Sequence, residues 1–141
     1  MRFPGVVSAN SITEQVGHII DVLPTCQALA RAEYPTEREG TKILPTEGLD
    51  LTPVIRGEQR AGHEWLFWEW SRNRAVRHGQ WKLCWDRNIG AWELYDLVAD
   101  RTETRNLVEH HPDRLDAMSQ RWFRWAAATG LKPKRKPSPV E

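Results

Sequence analysis

The chain lacks most of the features from which catalytic and metal sites are usually built. Its 141 residues include only two cysteines, Cys26 and Cys84, and neither has CxxC or Cys/His ligand spacing around it. No two of the five histidines stand four residues apart, the glycines are scattered singly, and GxSxG is absent. The sequence therefore predicts two separate thiols, no metal site, no phosphate loop and no catalytic residue within this chain.

Long apolar runs and an excess of one charge are also missing. No stretch approaches the roughly 20 apolar residues of a membrane span, and the N-terminal MRFPGVVSANS has no signal-peptide run. Lys and Arg number 20 against 19 for Asp and Glu, so a net charge of +1 creates no global field. We therefore expect no nucleic-acid partner and no membrane partner, and the chain carries no localisation signal.

Aromatic residues, by contrast, are abundant, with eight tryptophans in the chain. Tryptophans on a surface could stack on sugars or bases, whereas buried ones could fill the space between a small sheet and a helix. Seven of them occupy predicted strand positions or the predicted inner side of the last helix, namely Trp65, Trp68, Trp81, Trp85, Trp92, Trp122 and Trp125. This placement favours core packing over a binding platform.

The hydrophobic period predicts the fold. From His63 onward the apolar residues alternate, in HEWLFWEW, NRAVR, WKLCW and WELYDL, and turn residues separate the runs. HEWLFWEW is apolar on both faces, which favours a central strand. A helical stripe then runs from Pro112 to a stop at Gly130. The fold class predicted is α+β, with a small antiparallel sheet of three to four strands packed on a C-terminal helix.

Two further stretches have distinct interpretations. In WSRNRAVRHG, the arginines Arg72, Arg74 and Arg77 surround Asn73, and such a cluster on a strand edge could hold a sulfate, phosphate or carboxylate. Ordinary surface arginines are the alternative. In DLVADRTETRNL, Asp and Thr side chains are expected to satisfy the backbone of a turn without any ligand.

Four segments, in this order, resemble the C-terminal third of type I sulfatases of the bacterial arylsulfatase kind, members of the alkaline-phosphatase superfamily. They are FPGVVSANSITEQVGHIIDVLPTCQALA, LDLTPVIRGE, NRAVRHGQWKLCW and WELYDLVADRTETRNLVEHHPDRLDAMSQRWFRWA. The resemblance implies that residues 1–60 are a helical remnant of an α/β catalytic domain. It further implies that 61–130 form a small sheet-plus-helix domain, followed by a basic, Pro-rich tail at 131–141.

The resemblance also implies chemistry that this chain does not carry. In such enzymes a Cys or Ser within C-x-P-x-R becomes formylglycine, and calcium held by Asp and Asn residues assists its attack on a sulfate ester. Neither Cys26 nor Cys84 is followed by Pro and Arg at those offsets. We therefore expect calcium and formylglycine in a full-length parent, which would hydrolyse a sulfated small molecule or glycan, and no hydrolysis by this chain alone. A periplasmic or secreted parent fits the resemblance.

One departure from the family bears on substrate contact. Many relatives read FWEHEGNRA where this chain reads FWEWSRNRA, so that Trp70 replaces a His and Ser71-Arg72 replaces Glu-Gly. In the family this loop faces the active-site cleft, which makes Trp70, Asn73 and Arg74 the substrate-adjacent candidates.

Two alternatives accompany the leading interpretation of a C-terminal sulfatase fragment. The chain could be a non-catalytic binding module for an anionic or sulfated ligand, with Trp70 stacking on that ligand. A propeller blade is disfavoured because no repeat of about 40 residues recurs. As a fragment, the chain would leave the apolar stripe on the predicted helix 21–32 without the sheet that it normally covers, so self-association through this helix is expected.

Overall fold

The computed structural model describes residues 3–132, which form two compact units divided after His63. The N-terminal unit contains a 3-10 turn at Ile19–Asp21 and four short elements: α1 (Val22–Ala30), β1 (Glu37–Arg38), β2 (Thr41–Lys42) and α2 (Thr52–Ile55). The C-terminal unit contains β3 (Trp65–Trp70), β4 (Asn73–His78), β5 (Trp81–Asp86), β6 (Ala91–Asp96), a 3-10 turn at Val108–His110 and α3 (Pro112–Ala128). All but the first two residues of the predicted tail lie outside the described range.

Helix α1 is shorter than the predicted helix 21–32 because the chain leaves the helical conformation at Arg31, whose φ of 54° is left-handed. The N–H of Ala32 then donates to the carbonyl of Gln27 at 2.9 Å, which closes the helix end. Val22, Leu23 and Leu29 on this helix are about half exposed. The apolar stripe is thus open in this structure, and self-association through it stays a prediction.

The C-terminal unit confirms the predicted fold class. Its four strands pair antiparallel in the order β3-β4-β5-β6, which is a meander, and α3 packs across one face. Pro112 occupies the first turn of α3, and Gly130, with a φ of 77°, follows its end. The prediction that β3 is central was wrong: β3 lies at one edge, because a meander leaves its first strand with a single neighbour.

The core lies between the sheet and α3. Val76, Leu83 and Leu94 on three successive strands are fully buried, and they contact the buried face of α3 at Met118, Trp122 and Ala126. Aromatic rings fill the rest of the layer: Phe67 stacks on Trp125 at 5.1 Å, and Trp92 meets Trp122 edge-on at 6.4 Å. Core packing is therefore confirmed for most of the tryptophans.

The stretch after β6 is held by its own polar side chains, as expected. Asp100 Oδ2 accepts hydrogen bonds from the N–H groups of Thr104 and Arg105, both at 2.7 Å. Asn106 Oδ1 accepts from the N–H groups of Leu94 and Val108, both at 3.0 Å. These bonds fix the path from the sheet to α3 without any ligand. Among the described residues, no helix is long and apolar enough to cross a membrane.

Candidate functional site

The β3–β4 turn holds the candidates Trp70 and Asn73 at its two sides. Its two central residues both adopt left-handed backbone conformations, with φ of 51° at Ser71 and 72° at Arg72. Two-residue hairpin loops of this kind favour Asn-Gly because a Cβ is strained there. The N–H of Arg72 donates to Glu69 Oε1 at 2.8 Å, which helps to hold the turn. The sequence therefore accepts local strain in a turn whose central side chains are exposed.

Trp70 is the outlier among the tryptophans. Its side chain is 81% exposed, and strand alternation places it on the sheet face opposite to α3. A large apolar ring left in water at a strand end contributes nothing to the core, and it offers a flat face to a ligand.

The side chain of Asn73 forms a hydrogen bond to a neighbouring turn. Its Oδ1 accepts a hydrogen bond from the N–H of Arg87 at 3.0 Å, and Arg87 lies on the β5–β6 turn at the same end of the sheet. The Nη1 of Arg87 also donates to the Ser71 hydroxyl at 3.1 Å. Arg87 thus connects the two turns through hydrogen bonds to Asn73 and Ser71, which are 14 and 16 residues away from it in sequence. Sequence reasoning missed Arg87, because no local pattern signals a contact between two separate turns.

Arg74 lies in a different environment. It is only 8% exposed, and its guanidinium carbon lies 5.0 Å from the ring centroid of Trp122, 5.3 Å from Trp85 and 5.5 Å from Phe123. Burial lowers the pKa of this guanidinium, and the nearby charge of Glu69 acts against that effect. In this structure Arg74 belongs to the aromatic layer between sheet and helix.

The predicted arginine cluster on a strand edge was wrong in its placement. Strand β4 lies between β3 and β5, and alternation along it sends Arg74 towards α3. Arg77 lies near the other end of the strand, where its Nε donates to the carbonyl of Gly79 at 2.9 Å. Of the three arginines, only Arg72 is at the exposed turn.

A second polar centre, in the N-terminal unit, was not predicted. Asp21 has 0% exposure, and its Oδ1 lies 2.8 Å from the N–H nitrogen of Leu49 and 2.6 Å from Nε2 of His63. Its Oδ2 accepts from Nη2 of Arg60 and from the N–H of His18, both at 3.0 Å. The sequence suggested only a helix cap for Asp21, but its side chain makes no cap bond to α1.

Asp21 is held ionised by these donors. Burial on its own would raise the pKa of the carboxyl, but hydrogen bonds from the Leu49 N–H, the His63 ring and the His18 N–H outweigh burial, so the pKa is lowered. Four donors share its two oxygens. The centre therefore joins distant segments of the N-terminal unit.

No described cluster fits the metal and the nucleophile that the resemblance implies. Within residues 3–132, no group of three or more His, Cys, Asp or Glu could hold a metal ion. Burial raises the pKa of the Cys84 thiol to about 11, so the thiol is protonated at neutral pH and a weak nucleophile. No step of a reaction can be derived from calcium or formylglycine in this chain.

Comparison with known proteins gives the family. Residues 1–121 match the family model described as N-sulphoglucosamine sulphohydrolase, C-terminal. The chain belongs to the sulfatase family. It is 28% identical over 137 residues to an uncharacterized sulfatase of Schizosaccharomyces pombe, with 93% of this chain and 25% of the relative covered. It is 30% identical over 129 residues to a sulfatase of Formosa agariphila, with 80% and 23% covered.

A solved structure of a protein in complex with its substrate, D-glucosamine-2-N,6-O-disulfate, shares the fold of this sulfatase-family chain. The TM-score is 0.65 at 19% identity, and the alignment covers 96% of this chain and 29% of the other. The chain thus spans about a quarter of the length of the curated sulfatases that it matches. What it matches in the family model is the C-terminal part.

Proposed function

We propose that this chain is a non-catalytic C-terminal part of a sulfuric ester hydrolase and releases no sulfate by itself. One observation carries the proposal: residues 1–121 match a sulfatase C-terminal family, while neither cysteine stands in C-x-P-x-R. Within residues 3–132 there is no activated nucleophile to replace the aldehyde and no cluster of side chains that could hold its metal. In the parent, this part would support the catalytic domain and form one wall of the substrate pocket.

The substrate class that we propose is a sulfated saccharide. A structural neighbour was solved with a disulfated glucosamine as its substrate, which supports this class. On this chain, the exposed Trp70 ring offers a flat apolar surface of the kind that packs on a sugar ring, and Arg72 beside it carries a cation.

The test of inactivity is a sulfate-release assay. Purified chain is incubated with 4-nitrophenyl sulfate and calcium, and the product is compared with that from heat-denatured chain. We expect no difference. Release that is saturable, co-elutes with the chain and is lost in the Cys84→Ser or Cys26→Ser variant would overturn the proposal, because the activity would then depend on this chain's own thiols.

A second candidate function is an independent binding module for a sulfated ligand. It is favoured by the 81% exposure of Trp70, which has no structural explanation among the described residues. Under this alternative the chain alone binds a sulfated saccharide such as glucosamine 6-sulfate, and Trp70→Ala abolishes binding. Since Arg74 is buried, Arg74→Ala would report on folding, so Trp70 is the variant that decides. Equal binding by wild type and Trp70→Ala would remove this candidate.

A further inference from the structure

The contact between the two turns uses only some of the hydrogen-bond donors of Arg87. Its backbone N–H is bonded to Asn73 and its Nη1 to Ser71, while Nε and Nη2 have no hydrogen-bond partner among the described residues. Arg87 is exposed, so these donors are open to a ligand from solvent. Nε and Nη2 together form a pair of parallel donors, the geometry that matches two oxygens of a carboxylate, phosphate or sulfate.

Arg72 supplies a second cation next to the same contact. Only its backbone N–H is bonded, to Glu69, and its exposed guanidinium forms no ion pair with any residue in the described range. Ser71, which accepts the bond from Arg87, stands between Trp70 and Arg72 in the turn. The two guanidinium groups and the exposed ring of Trp70 thus belong to one end of the sheet.

The charges around this end decide what could bind. The carboxylate of Glu69 accepts from the Arg72 N–H, and that of Asp86 accepts from the Asn88 N–H at 2.7 Å. Glu69 also pairs with Arg74 across β3 and β4, so these two carboxylates do not neutralise the three arginines at this end. The remaining positive charge favours an anion, and the paired donors of Arg87 suit a group with several equivalent oxygens.

From this arrangement we infer that Arg87, with Arg72, forms a sulfate-recognition site beside Trp70, and that Arg74 is not part of it. The inference rests on the proposed substrate-facing role of the β3–β4 turn and adds the β5–β6 turn to that surface. Arg87 has two roles here. It fixes Ser71 through Nη1, and it presents Nε and Nη2 to a sulfate ester whose sugar ring packs on Trp70.

The experiment is a titration of the ¹⁵N-labelled chain with glucosamine 6-sulfate, with unsulfated glucosamine as the matched ligand. The readout is the indole N–H resonance of Trp70, assigned by its loss in Trp70→Phe. We expect a saturable shift with the sulfated sugar, about tenfold weaker affinity in Arg87→Ala, and partial recovery in Arg87→Lys, which restores charge without the paired donors. Arg124→Ala, on the exposed face of α3, removes an equal charge and should leave affinity unchanged.

Four results would contradict the inference. Equal affinity of wild type and Arg87→Ala would overturn it and leave the proposed function intact. Weaker binding of both the sulfated and the unsulfated sugar in Arg87→Ala would mean that Arg87 merely supports the turn. Full recovery in Arg87→Lys would mean that a positive charge suffices and that the paired donors do not recognise the sulfate. No shift of wild type with the sulfated sugar would remove the binding role of the turn altogether, whereas proposed inactivity is judged separately by the sulfate-release assay. The other indole resonances report whether each variant is folded.

Discussion

Replacing Arg74 by Ala should destabilise the C-terminal unit by about 3 kcal/mol. The guanidinium lies over three aromatic rings at 5.0 to 5.5 Å, and desolvated cation–π contacts contribute from about 0.5 to 2 kcal/mol each without being additive. Truncation also removes a buried methylene stem and leaves a cavity, which costs about 2 kcal/mol or more. Relief of the desolvation of a buried cation offsets part of this total.

The sequence provides a selective probe for the measurement. All eight tryptophans lie between residues 65 and 125, so tryptophan fluorescence reports the unfolding of the C-terminal unit alone. Urea titrations give the change in the free energy of unfolding from the shift in midpoint at constant slope. Arg74→Met keeps most of the volume without the charge and should cost about 1 kcal/mol, and Arg77→Ala, on the same strand, should cost less than about 1 kcal/mol.

The reasoning would be refuted by a loss below about 1 kcal/mol in Arg74→Ala. It would be refuted equally if Arg77→Ala were as destabilising as Arg74→Ala. In the first case the aromatic layer would not depend on the guanidinium, and a role of Arg74 outside the core would have to be reconsidered.

Three further predictions follow from individual residues. Because the pKa of Asp21 is lowered in the folded state, ionised Asp21 contributes stability above its unfolded pKa, near pH 4, and this contribution is lost as the pH falls through the folded pKa. The hydrogen-exchange protection of the Leu49 N–H should therefore fall below about pH 4, and Asp21→Asn should abolish that pH dependence. With a pKa of about 11, Cys84 should react with a maleimide at pH 8 far more slowly than the exposed Cys26, as read by mass spectrometry, and equal rates would contradict the burial. Arg72→Gly relieves about 1 to 2 kcal/mol of left-handed strain and adds about 0.5 to 1 kcal/mol of unfolded-state entropy, so it should raise the free energy of unfolding by about 0.5 to 1 kcal/mol, whereas Arg72→Ala keeps the strain and should not raise it.

Much of the C-terminal unit could be predicted from local pattern. The period-two runs, the turn residues between them and the Pro112 start of α3 depend on residues close in sequence, and the structure has strands, turns and helix start in that order, with Gly79 at a φ of 58° opening the β4–β5 turn. The polar turn after β6 is of the same kind, since Asp100 reaches only as far as Arg105. Such features are encoded by propensity and short-range hydrogen bonds.

The candidate site was harder to predict because its contacts are long-range. Alternation along NRAVR separates two faces, but only the position of α3 decides that Arg74 is on the inner one. The bond from Arg87 to Asn73 spans 14 residues, and the one from His63 to Asp21 spans 42. No spacing rule signals such pairs. The sequence therefore placed Arg74 and Arg77 correctly on one strand, but it did not show that this strand is internal or that Arg74 is buried against α3.

The backbone conformation of the β3–β4 turn gives the Ser71-Arg72 pair a physical cost. A glycine at the second position would adopt the φ of 72° without steric strain, whereas a side chain is strained there by about 1 kcal/mol or more, and the Arg72 guanidinium forms no hydrogen bond or ion pair with the described residues that would offset it. What Arg72 adds is a cation in water beside an exposed tryptophan, next to a second arginine that is fixed by Ser71. Because Arg72 strains the turn and adds only an exposed cation, a role in binding a ligand explains its presence better than a role in packing does. The Arg72→Gly variant separates the two explanations, because it should gain stability and lose affinity for a sulfated sugar together.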